Sequence, residues 1–223
     1  MPKTLAMLHT TPVTLATMPK LAAEVLPHVQ VINLLDDSLL PDVAAAGEVT
    51  PAVASRILAY VDQMVAAGAD AVLCCCSSVG EVAELAHRRC SVPVLRIDEP
   101  MAEQAVELGE RIGVIATVGT TMAPTVRLIA RKAAERGRNV AVEPLVVKGA
   151  YAALASGNGD AHDRLVREAL EGLLSRSDVV VLAQASIARV LAALPTPPAV
   201  PVLSSPRSGL TAVADVFRAQ GDA

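Results

Sequence analysis

Three of the chain's four cysteines stand side by side in Ala71–Gly80, AVLCCCSSVG. Thiols can act as nucleophiles or as acids and bases, provided that the thiolate is within reach. Adjacent cysteines suit neither a metal site nor a disulfide framework, and no CxxC spacing occurs in the chain. Alternation along a strand turns Cys75 away from Cys74 and Cys76. Cys74 and Cys75 read as small buried hydrophobes. Cys76 differs, because Ser77, Ser78 and Gly80 follow it and mark a strand-to-helix turn. At a helix N-terminus, unpaired amides and partial positive charge lower a thiol's pKa and can hold a carboxylate. Cys76 is therefore the expected reactive thiol, and Cys90, just ahead of a strand, is expected to be structural.

Hydroxyls gather at two further places. ATVGTTMAPT supplies Thr117, Thr120 and Thr121 in a glycine-containing turn, and HTTPVT supplies Thr10 and Thr11. Helix capping by threonine accounts for one of these. Two such loops in related positions favour hydroxyls and amides that bind an anion. Neither loop is a phosphate loop, since GxGxxG and GxxxxGK[ST] are both absent. His9 at a strand end is more simply a packed or surface residue than a proton carrier.

Apolar, β-rich runs that must position these groups are Thr4–His9, Val29–Leu34, Ala71–Cys76, Val92–Leu95, Arg111–Thr117, Val140–Leu145, Val179–Gln184 and Val200–Leu203. Between them lie helical patterns such as PAVASRILAYVDQMVAAG and APTVRLIARKAAERG. Strand–helix alternation with continuous apolar strands predicts an α/β fold of parallel sheets flanked by helices. Gly68, Gly109 and Gly137 fall where helix C-caps use glycine.

The halves repeat. A shift of 108 positions carries Asp70-Ala71-Val72-Leu73 onto Asp178-Val179-Val180-Val181, and Val92-Pro93-Val94-Leu95 onto Val200-Pro201-Val202-Leu203. A shift of 107 carries Leu5–Thr10 onto Ile112–Thr117. Three matches in register indicate a duplicated α/β unit. Residues 1–97 with 207–223 are expected to form one unit and 98–206 the other. Ligands bind beyond the carboxyl ends of parallel strands, so an active-site cleft is expected between the two halves.

Composition narrows the classes. Hydrophobic residues make up 52% of the 223, yet the aromatics are Tyr60, Tyr151 and Phe217 alone, so Ala, Val, Leu and Ile must build the core. No apolar run approaches the ~20 residues that cross a bilayer. A net charge of −4 without a Lys/Arg cluster argues against nucleic acid. Cysteine usage points to a reducing cytoplasmic compartment.

These residues, in this order and spacing, resemble the aspartate/glutamate/hydantoin racemase superfamily, which includes maleate isomerase and arylmalonate decarboxylase. The resemblance spans nearly the whole chain. Cys76-Ser77-Ser78 is similar to the family's strand-end Cys-Asn-Thr, GVIATVGTT to its glycine–threonine loop, and LHTTPVT to its first-strand loop. It implies two pseudo-symmetric Rossmann-like units, no cofactor and no metal. Implied partners are a small carboxylate and further copies of the chain, in a homodimer or higher homo-oligomer; a membrane is not among them. Carboxylate-binding groups would come from Thr10, Thr11, Ser77, Ser78, Thr117, Thr120, Thr121 and Ser186.

One departure bears on mechanism. Where the family carries a second cysteine, in Gly-Cys-Thr or Ala-Cys-Thr, this chain reads Leu182-Ala183-Gln184-Ala185-Ser186. The internal repeat independently pairs Cys76 with Gln184. A carboxamide donates hydrogen bonds and does not titrate near neutral pH. The expectation is an isomerase-like enzyme in which Cys76 is the acid, base or nucleophile and Gln184 holds the second catalytic position. The alternatives are a one-thiol decarboxylase of a malonate-like acid and a non-catalytic carboxylate binder.

Overall fold

A computed structural model describes residues 2–194 and 196–221; the side chains of Ser186 and Ala192 lie outside the described part. The first unit begins with β1 (Thr4–His9), α1 (Pro12–Val25), β2 (Gln30–Leu35), α2 (Leu39–Ala46) and α3 (Pro51–Ala66). It continues through β3 (Ala71–Cys74), a 3₁₀ turn (Ser77–Val79), α4 (Gly80–His87) and β4 (Val94–Arg96). Next come α5 (Glu99–Leu108), β5 (Arg111–Ala116), α6 (Gly119–Glu135), β6 (Ala141–Val146), α7 (Ala150–Ala155) and α8 (Gly159–Leu174). The chain then runs through β7 (Val179–Leu182), a second 3₁₀ turn (Ala185–Ile187), α9 (Ala188–Ala192), β8 (Val202–Ser204) and α10 (Ser205–Ala219). Two compact units result, Met1–Pro100 with Pro206–Ala223, and Met101–Ser205. The divides fall inside α5 and at the start of α10, two helices that leave one unit and pack in the other.

Each unit holds a four-stranded sheet whose pairings are all parallel, in the orders β2-β1-β3-β4 and β6-β5-β7-β8. Parallel strands need cover on both faces, and alternation supplies it. Ala6, Leu8, Val72 and Cys74 pack with α3 and α4, while Leu5, Met7, Leu73 and Cys75 pack with α1 and α10. In the second sheet Val180 and Leu182 face α8, and Val114, Val179, Val181 and Ala183 face α5 and α6. Position by position, α10 serves the first unit as α5 serves the second. Leu210, Val213 and Phe217 of α10 are at most 3% exposed, and each aliphatic side chain so buried stabilises by roughly 1.5–3 kcal/mol.

The repeat is visible in hydrogen bonds as well as in order. Asp70 accepts from the Thr4 amide at 2.8 Å, and Asp178 accepts from the Arg111 amide at 2.8 Å. In each unit the aspartate before the third strand thus anchors the start of the first. Gly68 (φ 92°) and Gly137 (φ 63°) are left-handed caps. Gly109 differs from that expectation and is a packing glycine. A Cβ there would sit 2.5 Å from the Asp178 Cβ, and its absence lets the carboxylate reach the amides of Glu110 and Arg111.

Strand order fixes where chemistry can sit. From β1 the chain goes to one neighbour, β2, and then returns to the other side as β3. The loops after β1 and β3 therefore diverge at a switch point and leave a crevice at the carboxyl edge. Those loops carry Thr10 and Cys76. The equivalent loops after β5 and β7 carry Thr117 and Gln184.

Candidate active site

Regular pairing of β3 ends at Cys74, two residues short of the strand read from sequence. Cys75 still donates its amide to the Leu8 carbonyl at 2.9 Å, so the chain stays beside β1 while leaving the ladder. Cys74 and Cys75 are 1% and 3% exposed and lie in the cores on opposite faces. Burial pushes the Cys74 thiol up to about 12 and that of Cys75 well above the ordinary range. Both are packing residues. Cys90 is partly buried against the first of these cores.

Cys76 is extended (φ −143°, ψ 116°) and caps the 3₁₀ turn, with partial exposure. The hydroxyl of Thr10, the amide and hydroxyl of Ser78 and the amide of Val79 are donors that favour its thiolate and act to lower its pKa. Burial nevertheless outweighs them and holds the thiol above its ordinary pKa. This corrects the expectation of a thiol lowered by a helix end. A 3₁₀ turn separates Cys76 from α4, and desolvation is the larger effect. The site keeps Cys76 protonated at neutral pH, with donors already in place for the thiolate when it forms.

The structure gathers Thr10, Cys76, Ser77 and Ser78 at one sheet edge, with Thr10, Ser77 and Ser78 at most 6% exposed. Thr11 instead caps α1, accepting from the Thr14 amide at 3.4 Å. His9 is fully buried, its ring nitrogens 3.1 Å from the Thr14 hydroxyl and 3.0 Å from Asn33 Oδ1. Burial lowers its pKa, against the hydrogen bond to Asn33. His9 is a satisfied core histidine.

An ionic cluster beside this edge was not foreseen. Arg96 Nε and Nη2 grip Asp98 at 2.7 and 3.0 Å, and Nη1 reaches Glu84 at 2.5 Å. Arg96 and Asp98 are 3% and 0% exposed. The guanidinium lies over Gly80, where a Cβ would approach it to 2.7 Å. Glycine there lets the charge pack against the first turn of α4, which holds the Ser77–Gly80 segment to β4. Two charged residues two apart directly after the apolar run VPVL were the available signal in sequence.

In the second unit Gln184 takes the same backbone position as Cys76, extended (φ −137°, ψ 138°) and capping a 3₁₀ turn. Its Oε1 accepts from the Thr117 amide at 2.5 Å, the Thr117 hydroxyl at 3.1 Å and the Val118 amide at 3.2 Å. The Thr117 donors, expected to stand ready for a ligand, thus bind Gln184. Thr120 and Thr121 lie in the first turn of α6 instead of in the loop, with Thr121 buried. Ser186 belongs to the 3₁₀ turn, and its side chain is outside the described residues.

Among the described residues no group of three or more His, Cys, Asp or Glu side chains is placed to hold a metal, and no helix is long and apolar enough to cross a membrane. A cavity of 440 Å³ in the first unit is lined by Pro2, Lys3, Leu26, His28, Phe217 and Arg218. These residues lie at the amino edge of the sheet, opposite the carboxyl edge that carries Cys76.

Solved structures with this fold include a glutamate racemase of Bacillus anthracis, 18% identical with a TM-score of 0.69 over 98% of this chain and 83% of its own. An aspartate racemase of Picrophilus torridus is 12% identical, with a TM-score of 0.71 over 99% of this chain and 95% of its own. An allantoin racemase of Klebsiella pneumoniae is 17% identical, with a TM-score of 0.69 over 99% and 89%. No curated protein matches by sequence. The Asp/Glu/hydantoin racemase family model matches residues 8–213, from the end of β1 into α10, and so includes the Cys76 edge and the Gln184 edge. With a match over almost its entire length, the chain belongs to the Asp/Glu/hydantoin racemase family.

Proposed function

We propose that the protein is a cofactor-independent, isomerase-type enzyme that moves a proton at the carbon next to a carboxylate in a small acid or amino-acid derivative, with Cys76 as its thiol. The observation that carries this reading is the set of four donors on the Cys76 sulfur, from Thr10, Ser78 and Val79. A packing cysteine needs no such donors; a thiol that must become a thiolate during reaction does. Cys76 is protonated at rest; once it has lost that proton to solvent, its thiolate, held by those donors, takes the α-proton, and the thiol so formed exchanges with solvent and returns a proton to the same face. Removal of the α-proton leaves an enediolate-like oxygen, for which the loop hydroxyls and amides are suitable donors.

Family membership and the racemases named above favour α-proton chemistry over decarboxylation. Gln184 in the second position favours a one-thiol course. The proposed substrate site is the carboxyl edge of the first unit, with Thr10, Ser77 and Ser78 as binding groups; Thr117, Thr120 and Thr121 follow the equivalent strand of the second unit.

The test uses enantiomers of aspartate, glutamate, hydantoins and allantoin, incubated in deuterated buffer and followed by proton NMR. At least one should lose its α-proton signal with the wild-type protein. Cys76→Ala should slow that exchange by about 10²–10⁴-fold, the usual contribution of a general acid or base. Exchange unchanged in Cys76→Ala would exclude the thiol from the reaction.

A further inference from the structure

We infer that the cavity at the amino edge of the first sheet binds a small apolar monocarboxylate, at a site separate from the Cys76 edge. All of its walls belong to the first unit.

The cavity lies where three segments meet. α1 gives way to a cap at Leu26, and a turn closed by the Val29 amide on the Leu26 carbonyl (3.1 Å) leads into β2. Pro2 and Lys3 lead into β1, and the Lys3 carbonyl accepts from the Gln30 amide at 2.8 Å, which ties the two strand starts together. The last turns of α10 close the third side. Ala214, Phe217 and Arg218 share one face of that helix, being three and four residues apart. Ala214 contributes only a methyl group to this wall, and a space of 440 Å³ remains. Small-molecule sites occupy about 300–1,000 Å³, so the size is suitable.

The lining divides by chemistry. Leu26, Val29, Ala214 and Phe217 offer an apolar wall that is continuous with the core cluster behind it. Every ionisable side chain of the lining is basic: Lys3, His28 and Arg218. Composition alone would favour the opposite sign, since the chain holds 23 acidic residues against 19 Lys and Arg. Lys3 and Arg218 do have carboxylate neighbours, Asp70 at 3.6 Å and Asp215, but neither aspartate lines the cavity. The Arg218–Asp215 pair is exposed, and such pairs hold weakly. Arg218 gives Asp215 one of its five N–H donors, so a ligand oxygen can be bound in addition. An apolar body therefore suits the wall, and a single carboxylate suits the basic groups. Among the described residues no carboxylate lines the cavity to receive an ammonium, so the ligand differs in class from an amino acid.

Octanoate is the probe, with octylammonium and octanol as controls of equal chain length. Each is titrated into isotope-labelled protein, and amide shifts are followed by NMR. Octanoate should give saturable shifts at residues 25–29 and 214–218 below about 10 mM, and bind at least about fivefold more tightly than octylammonium. Arg218→Glu should weaken octanoate by about fivefold, the upper end for one exposed charge pair, and leave octanol within about twofold of wild type. Ala214→Trp fills the cavity and should abolish the shifts caused by octanoate and octanol alike. A melting curve accompanies each variant, and the exposed Arg218 position keeps the test decisive if Ala214→Trp unfolds. The inference is overturned if octanoate gives no saturable shifts, or shifts Thr10 and Ser77–Gly80 instead. Equal binding of octanoate and octylammonium, or octanoate binding unchanged in both folded variants, overturns it as well.

Discussion

Cys76 and Gln184 occupy one backbone conformation in two copies of one fold, and their side chains do opposite things with the same kind of loop. The sulfur of Cys76 is cradled by donors, yet burial keeps it protonated. The oxygen of Gln184 consumes equivalent donors and leaves an amide free. The run of buried thiols also has a thermodynamic consequence. Burial raises Cys74 from 9.0 to about 12, with Cys75 and Cys76 raised as well. Above pH 9 the unfolded chain releases thiol protons that the fold retains, so stability is full below that pH and declines as pH rises through this window. Each thiol contributes a slope of about 1.4 kcal/mol per pH unit. Denaturant unfolding at pH 8 to 11 should show this decline, with a shallower slope in Cys74→Ala. Equal slopes in the two proteins would mean that Cys74 is not held protonated.

At the level of elements, the Cys76 turn is held by packing that includes a buried charge. α4 starts at a glycine because Arg96 lies there, and Arg96 is held by Asp98 and Glu84. Asp98→Ala should destabilise the protein by about 3–5 kcal/mol, since it leaves the guanidinium buried and half-paired. Urea unfolding measures it, and a loss under ~1 kcal/mol would mean that solvent or Glu84 compensates. All eight strands were legible in sequence, because β-branched runs such as VVVL can lie only inside a two-sided sheet. Their ends were less so. β3 and β7 stop two residues before the expected Cys76 and Gln184, where 3₁₀ turns take over. The Arg96–Asp98 pair was not legible, because a charged residue after an apolar strand reads equally well as a solvated loop.

Across the whole molecule, the repeat is the feature that sequence shows most directly. The 108-residue offset is present in strand order, in the paired anchors Asp70 and Asp178, and in the pairing of Cys76 with Gln184. The offset also located the missing thiol, since a duplicated fold makes an absence readable at a defined position. Which force sets the Cys76 pKa was not legible, because burial depends on how α4 and β4 close over the turn. With Cys76 as its single proposed thiol, the reaction is expected to exchange the α-proton from one face. The direct measurement is the stereochemical course of solvent deuterium exchange: a substrate is incubated in deuterated buffer, and both enantiomers are resolved and assayed for deuterium over time. The account predicts that one enantiomer gains deuterium at its α-carbon with retained configuration, faster than the other enantiomer accumulates. Inversion as fast as exchange in the wild-type protein would contradict it and require a second acid or base.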